Sequence, residues 1–260
     1  MVEELWSGIR MQYSAGQFQL STDSMVLAEF GTLPPRSAVC DLGCGCGSLS
    51  LLLCGKYPQA QLTGMELQEE AAAFAQENAV QNGLSDRLRI LCGDLREHRT
   101  LLLHSSFDAV VSNPPYYPAG SGSVSDSPAL AAARTELFCT LDDLCACAAW
   151  LLRSGGRFFV VHKPERLAEL ICALSRRRLE PKRLRLVRHQ AGGPVSLVLL
   201  EARLDGRPGL QFDPDLCLYD NFLADFVMLN SLYHPNETAH VNKYFKMDTF
   251  ECDTCDFTGE

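Results

Sequence analysis

The stretch "VCDLGCGCGSLSLLL", residues 39–53, decides how the whole chain is read. It opens as an apolar β-type run, continues with three glycines at alternate positions, and closes as a leucine-rich helical pattern. Strand, glycine turn and helix in immediate succession form the first unit of a parallel sheet with helices on its faces. Glycines let the backbone turn tightly and let a ligand approach the peptide plane, and the following helix points its free N–H groups at the same place. The pattern Asp41-x-Gly43-x-Gly45-x-Gly47 departs from the dinucleotide fingerprint Gly-x-Gly-x-x-Gly, since its third glycine comes one residue early and an aspartate precedes the first. No Gly-Lys-Ser/Thr closes the turn, which excludes a P-loop.

The same alternation continues downstream. "SAVCDL", "AQLTGMEL", "RLRILCGD", "FDAVVSN" and "RFFVVH" read as strands. Between them "SLSLLLCGKY", "QEEAAAFAQENAVQNG" and "TLDDLCACAAWLLRSGG" read as helices, the last capped by Thr140 and closed by its glycines. "PERLAELICALSRRR" follows as a helix with Pro164 at its start. "RLRLVRH" and "SLVLLEARL" are two further strands whose short "QAGGPV" connection suits an antiparallel pair. The expected fold is therefore α/β: a doubly wound, mostly parallel seven-stranded Rossmann-like sheet, with ligands binding outside the strands' carboxyl ends. Residues 1–36 are expected to contribute to the ligand pocket and 37–220 to form the main domain. Residues 221–260 fit no assigned element.

Composition narrows the class. A chain of 260 residues, 47% hydrophobic, can bury one substantial core. No apolar run nears the roughly 18 residues of a membrane helix, and the start "MVEELWSGIR" lacks a signal pattern, so the expected location is the cytoplasm, without membrane contact. The twelve cysteines are spread through strands and helices and read as reduced, small apolar core residues. Cys252-Asp-Thr-Cys255 is half of a zinc site at most, and no metal is expected.

Acidic residues end the next two strands. Glu66 lies twenty-five positions after Asp41, where a carboxylate can take both ribose hydroxyls of an adenosine, and Asp94 ends the third strand. Three carboxylates would repel a pyrophosphate but suit a ligand carrying a sulfonium, an ammonium and an adenine amino group. S-adenosylmethionine has those groups. Taken singly, each acid is equally well a helix N-cap or a solvated loop residue.

The fourth strand ends abruptly in "DAVVSNPPYYPAG", residues 108–120, where three prolines within five residues force a stiff loop out of the sheet. The Ser-, Gly- and Ala-rich segment 121–134 follows, either as a lid or as a surface loop. Together "DLGCGCG", "MEL", "GDL" and "SNPPY" resemble the class I S-adenosylmethionine-dependent methyltransferases that act on planar NH₂ groups. Such an acceptor is an adenine N6, a guanine N2 or a glutamine amide. "QFQLSTDSMVLAEF", with Phe18, Thr22 and Asp23, resembles more specifically the bacterial tRNA(Val) (adenine(37)-N6)-methyltransferase family, and the similarity extends over about residues 10–220.

The resemblance implies a site. Thr22, Asp23, Asp41, Gly43, Gly45, Gly47, Glu66, Leu67, Asp94, Leu95 and Asn113 would bind S-adenosylmethionine. Asn113, Pro114, Pro115 and Tyr116 would be catalytic: the Asn113 amide oxygen and the Pro114 carbonyl grip the two amine hydrogens, and Tyr116 offers a stacking face. A glutamine methyltransferase shares this loop but carries a larger domain before its glycine turn. A cofactor-binding RNA module without turnover and a nicotinamide dehydrogenase are the other readings.

With a net charge of -9 the protein is no generic nucleic-acid coat, yet "SRRRLEPKRLRLVRH" concentrates Arg176, Arg177, Arg178, Lys182, Arg183, Arg185 and Arg188. It is either a solvated helix end with its following strand or a tRNA contact. As a tRNA contact it is expected to lie beside the Asn113 loop.

Overall fold

The computed structural model describes residues 2–5, 8–13, 21–116 and 139–218. Phe18, the segment 121–134, the stretch 221–260 and the Cys252/Cys255 pair lie outside the described residues. A hairpin of β1 (Val2–Glu4) and β2 (Arg10–Gln12) precedes helix α1 (Thr22–Phe30). The alternating units follow: β3 (Ala38–Leu42), α2 (Ser48–Lys56), β4 (Gln61–Glu66), α3 (Glu69–Gln81), β5 (Leu88–Cys92), the short α4 (His98–Leu101) and β6 (Phe107–Ser112). Helix α5 (Leu141–Leu151), β7 (Leu152–His162), α6 (Leu167–Arg176), β8 (Leu179–Arg188) and β9 (Val195–Leu204) complete the main run.

The sheet has nine strands rather than the expected seven, because two-residue strands β10 (Gln211–Phe212) and β11 (Leu216–Cys217) add to the β8 edge. Its order is β10-β8-β9-β7-β6-β3-β4-β5, with β11 also on β8. Strands β3 to β7 are parallel, and β9 is antiparallel to both β7 and β8, as its short connection suggested. Apolar residues cover both faces. Val39, Val111, Phe159 and Leu199 pack on one side with α1 and α2, while Cys40, Val110, Phe158 and Leu200 pack on the other with α5 and α6. Continuous apolar strands such as "RFFVV" need this two-sided cover.

One boundary differs from the sequence reading. Helix α5 stops at Leu151, and residues through Gly156 already belong to β7. The pairing jumps from Phe107 with Leu152 to Ala109 with Arg157, so Arg153–Gly156 form a bulge. Gly155 has φ +78° and a Cβ on Gly156 would sit 2.8 Å from the Arg153 carbonyl oxygen, which explains why glycines occupy this kink.

Most expected core cysteines are buried, including Cys40, Cys54, Cys145 and Cys147, whereas Cys92 and Cys172 are exposed. Among the described residues no helix is long and apolar enough to cross a membrane, and no cluster of three potential ligands could hold a metal.

Candidate active site

The strand order reverses beside β3. From β3 the chain steps outward through β4 to β5, then returns to the other flank of β3 to lay down β6 and β7. Loops leaving β3 and β6 therefore diverge and open a crevice at the carboxyl ends of the strands.

One half of the crevice is the glycine loop and its acids. Gly43, Gly45 and Gly47 all have positive φ, at +72°, +55° and +89°. A Cβ on Gly47 would also lie 3.3 Å from the Cβ of Ala75 in α3, so glycine there serves both the turn and the packing. Gly43 and Cys44 donate their N–H groups to the Met65 carbonyl, tying the loop to the end of β4. Glu66 then closes it: Oε2 accepts from Gly45 N–H and Oε1 from Gln68 N–H, both at 2.9 Å. Leu67 beside it is exposed, and Leu95 packs partly into the core.

Asp41 is almost fully buried. Its Oδ2 accepts from the Ser50 hydroxyl at 2.6 Å, and the Ser50 backbone also bonds to it. Gly47, at the N-cap of α2, has no side chain to offer, and Asp41 caps the first turn in its place. Burial, then the nearby Glu66 charge, outweigh the Ser50 bonds and push its carboxyl up to about 7. Asp94 likewise serves as an N-cap, accepting from Arg96 N–H, and it forms a two-pronged pair with the Arg96 guanidinium that holds its carboxyl below the ordinary value. The N-cap alternative is therefore observed for Asp94, and Asp41 performs a cap's work from a neighbouring strand.

The other half is the proline loop after β6. Asn113 donates from Nδ2 to Ser24 Oγ at 3.1 Å and to Ser21 Oγ at 3.3 Å, both at the start of α1. The Tyr116 hydroxyl faces two acceptors, Asn113 Oδ1 at 2.7 Å and the Asp23 carboxylate. Through Ser21, Asp23 and Ser24 the start of α1 is bonded to the proline loop, with Thr22 half-buried beside them. Pro114 is buried and Pro115 half-buried.

The sequence reading missed Ser21, Ser24, His162, Lys163 and Arg166 at this site. His162 is buried, its ring edge-on to Tyr116 at 5.3 Å, and its Nδ1 accepts from Lys163 N–H at 2.8 Å. Burial and then the Arg166 charge push its pKa down to about 4, so it is neutral at physiological pH. The available signal was positional: "RFFVVH" is the strand beside "FDAVVSN", and both end in polar residues.

Arg176 to Arg178 do not lie beside Asn113. Helix α6 runs back from the carboxyl end of β7, so Arg176 to Arg178 emerge at the amino end of the sheet, where Leu179 pairs with Leu204. Arg177 and Arg178 there line a cavity of about 540 Å³ with His98, His104 and Trp150. The cations are also paired: Arg176 and Arg177 with Asp142, Arg178 with Asp205, and Arg188 with Asp215. Arg183 bonds Glu201 and Asp213 and lies over the Phe30 ring at 4.5 Å. Lys182 and Arg185 donate to the carbonyls of Arg207 and Pro214.

A glycine loop and a proline loop facing each other across the reversal of a doubly wound sheet define a Rossmann-like methyltransferase. The chain belongs to the methyltransferase small domain family, whose sequence profile matches residues 13–174. A relative from Dickeya chrysanthemi named tRNA1(Val) (adenine(37)-N6)-methyltransferase is 34% identical over 193 residues, 72% of this chain and 74% of that protein. One of the same name from Porphyromonas gingivalis is 30% identical over 176 residues, covering 65% of this chain and 68% of the relative. A crystal structure from Agrobacterium tumefaciens, described as a predicted O-methyltransferase, has the same fold, with TM-score 0.65 and 23% identity over 81% of this chain and 96% of that one.

Proposed function

We propose that the protein transfers a methyl group from S-adenosylmethionine to the exocyclic N6 of an adenine in tRNA, adenine 37 by likeness to its named relatives. The observation that carries this reading is the Asn113–Tyr116 loop standing across the crevice from the glycine loop. An adenine amine is a poor nucleophile because its lone pair is delocalised, so a site for it must orient more than activate.

S-adenosylmethionine supplies an electrophilic methyl group on a positively charged sulfur. The residues present fit that cofactor. Each Glu66 oxygen accepts a single backbone N–H, which leaves lone pairs for two ribose hydroxyls. Exposed Leu67 offers apolar contact to a purine, and the Cβ-free loop lets the chain approach closely.

The acceptor half works by positioning. Asn113 Oδ1 and the Pro114 carbonyl accept the two amine hydrogens, and the proline ring fixes the spacing in advance. Gripping the amine takes Oδ1 away from the Tyr116 hydroxyl, and the Asp23 carboxylate keeps that hydroxyl satisfied. The Asn113 amide stays anchored to Ser21 and Ser24 on α1 throughout.

Incubation with labelled cofactor and unmodified total tRNA, followed by nucleoside digestion, tests the reading. Label is expected in N6-methyladenosine; label only in protein glutamine would replace tRNA with a protein acceptor. Asn113→Ala should lower turnover by about 100-fold or more with cofactor affinity nearly intact, since that side chain serves the acceptor. Undiminished turnover would remove Asn113 from the mechanism.

A further inference from the structure

Strand β7 lies directly beside β6, pairing Val111 with Phe159 and Ser112 with Val160, so its carboxyl end stands next to the proline loop. There His162 fixes the start of the following turn by accepting the Lys163 N–H. From that point the Lys163 side chain reaches over the Tyr116 ring, with its ammonium 5.1 Å from the ring centroid. Tyr116 itself is half-buried. Its ring packs against the core cluster that includes α1, and its hydroxyl is directed at Asp23. The Lys163 ammonium thus lies on the ring that the adenine reading uses as a stacking face.

Lys163 also differs from the arginine run in charge pairing. Arg176, Arg177, Arg178, Arg183 and Arg188 all hold carboxylates, whereas Lys163 forms no ion pair among the described residues. Among the described residues its charge lies against the face of an aromatic ring, an interaction that a stacking base replaces. Arg166 donates to the Tyr116 carbonyl at 3.4 Å and pairs with Glu169, so it restrains the loop while Lys163 remains able to swing on its four-carbon stem.

We infer that Lys163 is a place-holder on the acceptor platform that becomes a phosphate contact when RNA binds. A base settling on Tyr116 displaces the ammonium, and the same nucleotide brings the phosphate that receives it. One lysine thus keeps the platform covered when empty and favours a nucleotide acceptor over an amide side chain, which carries no phosphate. This inference rests on the adenine reading above.

Lys163→Met keeps the stem and removes the charge, and Lys163→Arg restores it. For the methionine variant the KM for tRNA should rise by about tenfold, more than kcat falls, and the log–log salt slope of tRNA binding should drop by about 0.7 to 0.9, the loss of one phosphate contact. The arginine variant should recover most of both. An unchanged KM and slope would overturn the inference, as would loss of S-adenosylmethionine binding in parallel with tRNA binding, which would mark Lys163 as a structural support. Filter binding needs no turnover, so the two readings fail separately: a slope change at Lys163 without methylation by the wild type would sink the adenine reading alone.

Discussion

Asp41 places a carboxylate at the base of the glycine loop, where burial makes the proton hard to remove. Its carboxyl ionises near 7 in the fold against an ordinary 3.8. Because the folded chain holds this proton more tightly than the unfolded one, the stability tied to Asp41 is complete below 3.8 and is lost as pH rises toward 7. The loss amounts to about 4 kcal/mol at most, at 1.4 kcal/mol per tenfold change in proton affinity. Asp41→Asn removes the titrating group but keeps an oxygen for the Ser50 hydroxyl. The difference in melting temperature between wild type and variant should therefore drift in the variant's favour from pH 4 to pH 7.5, and a constant difference would refute the assignment. At this scale the acids were legible as a set and their partners only in part. Asp41, Glu66 and Asp94 all stand at strand ends, and Arg96 two residues after Asp94 is a local signal, yet nothing local tells that Ser50 holds Asp41 or that Glu66 closes the loop.

Helix α3 shows how an element can borrow another's bonding. Asn78 accepts from Gln12 N–H at 2.6 Å and donates to the Gln12 carbonyl at 2.9 Å, while Asn82, one turn on, does the same for Arg10. Two amides spaced by a helical turn thus meet two residues spaced by a strand repeat, and the β1–β2 hairpin is fastened to a helix as if to a sheet edge. Asn78 donates further to the Cys46 carbonyl at 3.0 Å, which couples the hairpin to the glycine loop. Asn78→Ala should cost about 2 to 4 kcal/mol because it strands buried backbone groups, lowering the melting temperature by roughly 6 to 12 °C. Asn82→Ala, at a more exposed position, should cost about 1 kcal/mol. Equal losses would mean that the Cys46 link adds nothing. The helix itself was readable from its periodicity, but strands of three residues are too short to show an alternation, and the hairpin's bonds come from side chains sixty-six and seventy-two residues away.

For the whole molecule, the parallel sheet and its late antiparallel pair follow from the alternating pattern and the short connection, and the location of surface charge does not. Reading Arg176 to Arg178 as neighbours of Asn113 took account of their position after β7 but not of the length of α6, which carries the chain back to the far end of the sheet. Changing Arg176, Arg177 and Arg178 together to Ser should leave the KM for tRNA within about twofold and the salt slope unaltered, since these cations already hold Asp142 and Asp205. A clear fall in the slope would return the run to the RNA surface. The edge strands β10 and β11 were not legible for a related reason: each has two residues, and only the exposed flank of β8 makes them strands.

The antiparallel β9 has a consequence for how the chain assembles. After β7 the polypeptide passes through α6 and lays β8 one position too far out, leaving a vacant lane that β9 later occupies. Until residues 195–204 have left the ribosome, the flank of β7 from Arg157 to His162 has no partner on that side. This flank carries Phe158, Phe159, Val160 and Val161, a nascent edge suited to pairing with another chain. The short loop between β8 and β9 limits that exposure, because the two strands can zip into a hairpin locally and dock as one piece. Closure of the sheet is thus a late event in synthesis, and β7, which stands beside the proline loop, is covered on its outer flank only then.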